Sequence, residues 1–288
     1  MIIAHIIGGL GNQMFQYAAA KALSVEKNTE LLLDVTSFDS YALHQGFELN
    51  KIFSADFKTA SSSDIKKILG WQAPTIVRSV LHRPRLTWLR KTTLSIEPSF
   101  QYWRGFQDLS DNTYLSGYWQ SERYFKNIES IIRKDFSFKL PMDNENSRIA
   151  NLISNTEAVS LHIRRGDYVN NSAYSACSLD YYQAAISHFT HMNKPPTFFI
   201  FSDDINWVKE HLKIEHPHCY VDHNNGAASY NDMRLMSLCK HNIIANSSFS
   251  WWGAWLNANN DKIVITPKSW FNTNNHIDDL IPPTWISL

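Results

Sequence analysis

The chain has 288 residues, 44% hydrophobic and 19% charged, with 27 basic side chains against 27 acidic ones. That length suits two domains better than one, and the apolar fraction excludes a disordered chain. A formal net charge of zero argues against a general nucleic-acid binder, whose affinity rests on neutralising phosphates. Three cysteines without CxxC spacing, Cys177, Cys219 and Cys239, read as reduced thiols of a cytoplasmic protein. The N-terminus runs straight into a glycine turn without a signal peptide, and no apolar run approaches the ~20 residues of a membrane span.

In chain order, Ile2 to Ile7 reads as a strand, Gly8-Gly-Leu-Gly-Asn-Gln as the loop after it, and Met14 to Glu26 as a helix. Leu31 to Val35 follows as a second buried strand, so a βαβ unit with parallel strands is expected. The loop lacks the third glycine of a dinucleotide fingerprint, but its amides beside a helix start suit anions or sugar hydroxyls. Ser61-Ser-Ser-Asp looks like a cap opening the helix Ile65 to Leu69. Arg78 to Lys91 interleaves six basic or histidine side chains with apolar ones and is interrupted by Pro84. It reads either as a solvated helical face or as a segment that lies on an anionic membrane surface. Tyr114 to Gln120 is strand-like, and Tyr118, Trp119 and Gln120 suit either a sugar site or an aromatic core.

Asp135 to Asn146, with Pro141 and several charges, is the expected linker. Beyond it a regular alternation of strands and helices, from Val159 to Thr266, predicts a Rossmann-type half. Its first strand runs into His162-Ile-Arg-Arg-Gly-Asp-Tyr. Two arginines at the carboxyl end of a buried strand are costly unless an anion or internal carboxylates meet them, and a guanidinium fork suits a diphosphate. Asp203 and Asp204 follow the next strand and read as partners for those donors and as helix caps, with a manganese site as the alternative. Asp232 is a helix cap by default, and its carboxylate could equally accept from N1 and N2 of guanine. Asn246-Ser-Ser-Phe-Ser-Trp-Trp-Gly runs from a strand into a helix start, either an anion cradle or an over-capped helix. Trp251, Trp252 and Trp255 are expected in the core, and the twelve histidines show no metal-binding spacing.

Three segments, Gly8-Gly-Leu-Gly-Asn-Gln-Met-Phe-Gln-Tyr, His162-Ile-Arg-Arg-Gly-Asp-Tyr and Asn246-Ser-Ser-Phe-Ser-Trp-Trp-Gly-Ala-Trp, together resemble the bacterial α-1,2-fucosyltransferases of glycosyltransferase family 11. The resemblance spans Ile7 to Trp285. Its HxRRxD segment is shared with other fucosyltransferases, so alone it implies donor rather than linkage. It implies an α/β fold of GT-B type, with two Rossmann-like domains facing a central cleft. Residues 1–140 would be the acceptor side and 141–288 the GDP-fucose side, with the C-terminal tail packing back on the first domain. The implied reaction is inverting transfer of L-fucose from GDP-fucose to the 2-hydroxyl of a terminal β-galactose, as in O-antigen or lipopolysaccharide glycans. No cofactor, metal or nucleic acid is implied, and peripheral membrane contact through a lipid-linked acceptor is compatible with it.

Carried over by residue, Arg164 would hold the β-phosphate and Asp167 would orient the arginines, with Arg165 bracing the motif. His162 would lie near the ribose or base, Asp203 on the donor side, and Asp232 against guanine. Asn246 would be donor-binding, Ser247, Ser248 and Ser250 would be phosphate-side groups, and Asn12 and Gln13 would close the cleft from the first domain. Asp34, Tyr118, Trp119 and Gln120 are acceptor-side candidates. Asp34, His44 and Glu48 are candidate bases, none singled out by spacing. The rival readings are a fucosyltransferase of another linkage, a manganese-dependent transferase using Asp203 and Asp204, and a non-catalytic sugar-binding module.

Overall fold

The computed structural model describes residues 1–39, 45–166, 176–190, 192, 194–271 and 277–288. The chain divides into two units, Met1–Lys139 with the return His276–Leu280, and Leu140–Asn275 with Ile281–Leu288.

The first unit contains β1 (Ile2–His5), α1 (Leu10–Glu26), β2 (Leu31–Asp34), α2 (Leu49–Ile52), α3 (Ser62–Leu69), α4 (Thr75–Leu81), β3 (Leu94–Ile96), β4 (Thr113–Ser116) and α5 (Glu129–Asp135). Its strands form one parallel sheet in the order β2-β1-β4-β3. Helix α1 begins at Leu10, four residues before the expected Met14, so most of the glycine segment is the first helical turn and not a loop. Gly8, at φ +77°, completes the reversal within one residue, and a Cβ there would lie 2.7 Å from Asn12 Nδ2. Ser61 and Asp64 form a reciprocal capping box that opens α3, a device worth about 1 kcal/mol. Ile65, Ile68 and Leu69 of α3 then pack with Ile3, Leu32, Leu94 and Tyr114.

Asp34 ends β2 fully buried, and the Arg78 guanidinium of α4 meets it at 2.6 Å. The Tyr114 hydroxyl donates to the same carboxylate oxygen at 2.5 Å, and Thr36 Oγ1 donates to the other at 2.6 Å. Near the C-terminus, Asp279 accepts from the Tyr102 amide at 3.0 Å and pairs with Arg123, and Leu280 is fully buried. The His276–Leu280 return therefore packs within the first unit.

The second unit contains α6 (Asn144–Ser154), β5 (Glu157–Ile163), α7 (Leu179–His188), β6 (Pro196–Ser202), α8 (Ile205–His211), β7 (His218–Val221), α9 (Tyr230–Leu238), β8 (His241–Ile243), α10 (Ser248–Leu256), β9 (Val264–Thr266) and β10 (Ile286–Ser287). Its parallel sheet runs β10-β9-β8-β5-β6-β7. Numbered within the unit, that is the 3-2-1-4-5-6 order of a Rossmann sheet read from the other end. Val159, Leu161 and Ile163 of β5 pack against α7 on one face. Ala158 meets Phe199, Phe201 and the α6 and α9 side chains on the other. Burial on both faces explains why β5 reads as an apolar run. Helix α6 begins at Asn144, inside the segment expected to be a linker, because Asp143 caps it by accepting from the Asn146 amide at 2.8 Å. All three cysteines are free thiols. No helix among the described residues is long and apolar enough to cross a membrane.

Removing Arg78 alone strands a buried carboxylate, a change that generally costs about 3–5 kcal/mol. Arg78→Leu should therefore lower urea stability by that order. The Asp34→Asn/Arg78→Leu double variant should recover most of the loss. Equal instability of the two variants would place the cost in packing instead.

Candidate functional site

Because every strand of the second sheet runs parallel, their carboxyl ends share one edge. From β5 the chain proceeds through β6 and β7 to one side, and through β8, β9 and β10 to the other. The loops leaving β5 and β8 therefore diverge, which opens a crevice at that edge, the usual ligand position in such sheets. β5 delivers Arg164-Arg165-Gly166 there, and the paired β8, with Leu161 opposite Ile243, delivers Asn246-Ser247-Ser248. The rings of His162 and Phe249 lie 6.0 Å apart, so the two segments touch.

Asp203, at the end of β6, organises the β5 loop. Its carboxylate accepts from the amides of Arg165 at 2.9 Å and Gly166 at 3.1 Å, and pairs with Arg164 Nη1 at 2.9 Å. A Cβ on residue 166 would meet Asp203 Oδ2 at 2.7 Å, so the close approach requires glycine. Arg164 keeps 30% of its side chain exposed. The Arg165 guanidinium lies 3.5 Å from the Trp207 ring centroid, and its Nε is 3.5 Å from Asp204. Asp204 also caps α8 through the Trp207 amide. Arg165 is thereby held against α8. Asp167, the expected orienting carboxylate, lies outside the described residues.

His162 is buried, and desolvation with the Arg164 charge pushes its pKa down to about 3. The ring is therefore neutral, and its Nδ1 has no partner among the described residues. At α10, Ser247 is the N-cap residue, but its side chain makes no capping bond and the first turn carries no acidic residue. The N-terminus of α10, with the positive end of its helix dipole, follows β8 on that same edge. Two expected donor-binding groups are engaged elsewhere. Asn246 is buried, donates to the Trp270 carbonyl at 3.0 Å and accepts from Cys177 Sγ. Ser250 is fully buried and donates its hydroxyl to the carbonyls of Ser247 and Ala245. Both hold the turn instead of presenting polar atoms to a ligand. Trp251, Trp252 and Trp255 are core residues, packed edge-on with ring centroids 5.0 and 5.2 Å apart.

Asp232 lies in the first turn of α9, after the β7 loop, on the same edge. Burial pushes its carboxyl up to about 7, against the opposing bond from Asn224 Nδ2 at 2.8 Å. Asn224 is held in turn by Asn146 of α6, whose Oδ1 also accepts from His223 Nε2 at 3.1 Å. Nothing in the sequence singled out Asn146 or Asn224, because side-chain relays across 78 residues leave no local pattern.

In the first unit β1 and β4 are neighbours, and the loops that leave them come together. There Gln120 donates to Asn12 Oδ1 at 2.7 Å. Gln13, expected to reach the donor, is fully buried and bonds to the Gly8 and Gly46 carbonyls and the Glu48 amide. It braces the loop. Glu48 is buried too, which raises its carboxyl to about 7 despite Lys51 and the Leu10 amide. Asp34 is enclosed by Arg78, Tyr114 and Thr36, so it presents nothing to an acceptor. His44 lies outside the described residues. Tyr118 is 39% exposed, whereas Trp119 is buried with φ +55°. That strained turn is held by Glu97, which sequence reasoning missed because β3 spans only three residues. Its carboxylate accepts from the amides of Tyr118 at 2.6 Å and Trp119 at 2.9 Å. Burial raises Glu97 to about 7, and the two amides oppose that rise. Gly117 leaves the space, since a Cβ there would lie 2.3 Å from Glu97 Cβ.

Residues 96–288 match the family model described as Glycosyl transferase family 11. The chain is 35% identical to an α-1,2-colitosyltransferase of Escherichia coli over 100% of its own length and 99% of that protein. It is also 35% identical to the O-antigen biosynthesis glycosyltransferase WbnK of Escherichia coli, covering 98% of each. Among solved structures, the fucosyltransferase NodZ from Bradyrhizobium shares the fold at a TM-score of 0.53 and 16% identity, over 88% of this chain and 91% of that one. The fold is accordingly of GT-B type.

Glu97→Ala should free the Tyr118 and Trp119 amides. Their hydrogen exchange should speed up by about tenfold, the equivalent of one lost hydrogen bond, with β1 and β2 unchanged. Unchanged exchange would mean that the turn holds its own left-handed geometry.

Proposed function

This chain belongs to glycosyltransferase family 11, and from that membership we propose that it transfers L-fucose from GDP-fucose to the 2-hydroxyl of a terminal β-galactose. The observation that carries the reading is that the neighbouring strands β5 and β8 lead at one switch point into the Arg164 fork and into the N-terminus of α10. Both present N–H donors to a place where a diphosphate would gather negative charge. The fucosyl donor is supported by the three motifs quoted above, and the α-1,2 linkage by the colitosyltransferase relative.

In this reaction the galactose hydroxyl attacks C1 of fucose on the face opposite GDP, inverting that carbon. Negative charge grows on the departing β-phosphate as the sugar becomes oxocarbenium-like. Arg164 and the amides after Ser247 stabilise that charge, the contribution generally worth most in such sites. Asp203 holds Arg164 in position. Arg165, stacked on Trp207, keeps the loop fixed. The neutral His162 ring offers an uncharged acceptor or donor to the nucleotide. Asp232 accepts from N1 and N2 of guanine. No metal takes part, and the base for the attacking hydroxyl is unassigned.

A second reading, transfer of colitose, is favoured by the 35% relative. Colitose is L-fucose without its 3-hydroxyl. A site that hydrogen-bonds that hydroxyl rejects the deoxy sugar by about 10⁴-fold, whereas a site that leaves it untouched takes both. Comparing GDP-fucose with GDP-colitose therefore decides between the two donors.

Adding lactose to enzyme and GDP-fucose in EDTA should release GDP, and NMR of the product should show an α-1,2 linkage to galactose. No GDP release with any galactoside would sink the proposal; loss of release in EDTA would favour the manganese reading. Arg164→Ala should cut turnover by roughly 100- to 1000-fold, since one preorganised donor is worth ~2.7–4 kcal/mol. Arg164→Lys should also fail, because a point charge lacks the fork. GDP affinity should weaken as pH falls through about 7, because a protonated Asp232 cannot accept from both guanine donors. Asp232→Asn should be weak and flat with pH; a wild-type profile that is flat as well would remove Asp232 from the guanine site.

A further inference from the structure

Between Asp64 and Glu97 the chain has no acidic residue but carries Lys66, Lys67, Arg78, Arg83, Arg85, Arg90 and Lys91. In a chain of zero net charge that is a concentrated basic stretch. Arg78 is buried against Asp34, whereas Arg83, Arg85 and Lys91 are exposed. The same stretch exposes apolar side chains. Ile76, Trp88 and Trp71 are the three most exposed large apolar residues among the described ones, at 81%, 77% and 57%. On α4, Ile76 and Val80 stand one turn apart on the solvent side, while Val77, Arg78 and Leu81 face the first unit's core.

These groups sit on a fixed platform. Trp71 lies in a 3-10 turn, Gly70–Gln72, and Trp88 in another, Pro84–Leu89. The buried Gln72 joins them, donating to the Leu89 carbonyl at 2.7 Å and accepting from the Lys91 amide at 3.2 Å. Arg90 Nε closes the other side on the Leu81 carbonyl at the end of α4 at 2.8 Å. The two indoles therefore flank one hydrogen-bonded junction.

We infer that the α4 and Pro84–Leu89 face docks on an anionic lipid bilayer, with Trp71, Ile76, Val80 and Trp88 entering the headgroup layer and Arg83, Arg85 and Lys91 on lipid phosphates. Tryptophan favours the boundary between water and acyl chain, since it has an apolar body and one polar N–H. Exposed apolar side chains bordered by arginine and lysine are the pattern of an interfacial anchor. The opposite charge of an anionic leaflet supplies the long-range attraction. This inference goes beyond the sugar-transfer reading and does not depend on it.

Co-sedimentation of the full chain with vesicles tests it. The protein should pellet with phosphatidylglycerol–phosphatidylethanolamine vesicles, bind phosphatidylcholine vesicles poorly, and be released by high salt. Arg83→Gln/Arg85→Gln should weaken partitioning by about fivefold for each charge removed. Trp71→Ser/Trp88→Ser should weaken it by roughly tenfold or more. Both variants should transfer sugar to a water-soluble acceptor as the parent does. Failure of that transfer in the parent, with vesicle binding intact, would remove the proposed reaction and leave the docking face standing. Absence of binding to anionic vesicles overturns the inference, as do variants that bind like the parent. Binding to polyglutamate but not to vesicles overturns it in favour of an acidic protein partner.

Discussion

The second unit depends on one carboxylate placed at the end of one strand. Asp203 accepts two consecutive amides of the loop after β5 and pairs with Arg164. Those three bonds fix where the loop leaves the sheet and where the guanidinium sits before any ligand arrives. In the proposed reaction, a donor already held in position would need no rearrangement as charge develops. Gly166 is part of the same arrangement, since any side chain there would displace the carboxylate that does the aiming.

The first unit uses the same construction with a different electrostatic outcome. Glu97, after β3, accepts the consecutive amides of Tyr118 and Trp119, and Gly117 leaves the room. In both units a carboxylate from a neighbouring strand end captures the loop that leaves the adjacent strand. Asp203 has a guanidinium as partner, whereas Glu97 is met by two backbone amides, and burial lifts it to about 7. The Glu97 turn therefore changes charge near neutral pH, while the Asp203 loop is locked by an ion pair.

The Rossmann half was legible because its strands are buried on both faces and alternate with capped helices, as at Ser178, whose hydroxyl accepts from the Tyr181 amide. The loop residues at the ends of β5 and β8 were legible for the same reason. What could not be read was how individual polar side chains divide between ligand and framework. Gln13, Asn246 and Ser250 have the chemistry of binding groups, yet each is buried against backbone carbonyls or amides. Asp34 has the chemistry of a base, but Arg78, 44 residues away in sequence, encloses it. Strands β3 and β10, of three and two residues, are too short for any periodicity. The capped start of α6 at Asp143 was hidden behind Pro141, which reads as a linker.

The charge balance of the β5 loop separates two ways in which a diphosphate could be held. Arg164 faces Asp203 and Arg165 faces Asp204, so the four groups sum to a formal charge of zero. His162 is neutral and adds nothing. A bound diphosphate would therefore not be drawn by excess positive charge. It would be held by the direction of N–H groups, from a guanidinium already fixed by Asp203 and from the first turn of α10. Directional donors act only at short range and in one orientation. Such a site discriminates by shape and the geometry of the leaving group more than by charge, and its affinity should respond weakly to ionic strength. The exposed basic stretch on the first unit has the opposite character, with positive charge facing water and no fixed partner geometry. On the two readings proposed above, one chain of zero net charge would separate short-range recognition at the strand ends from long-range attraction at a surface.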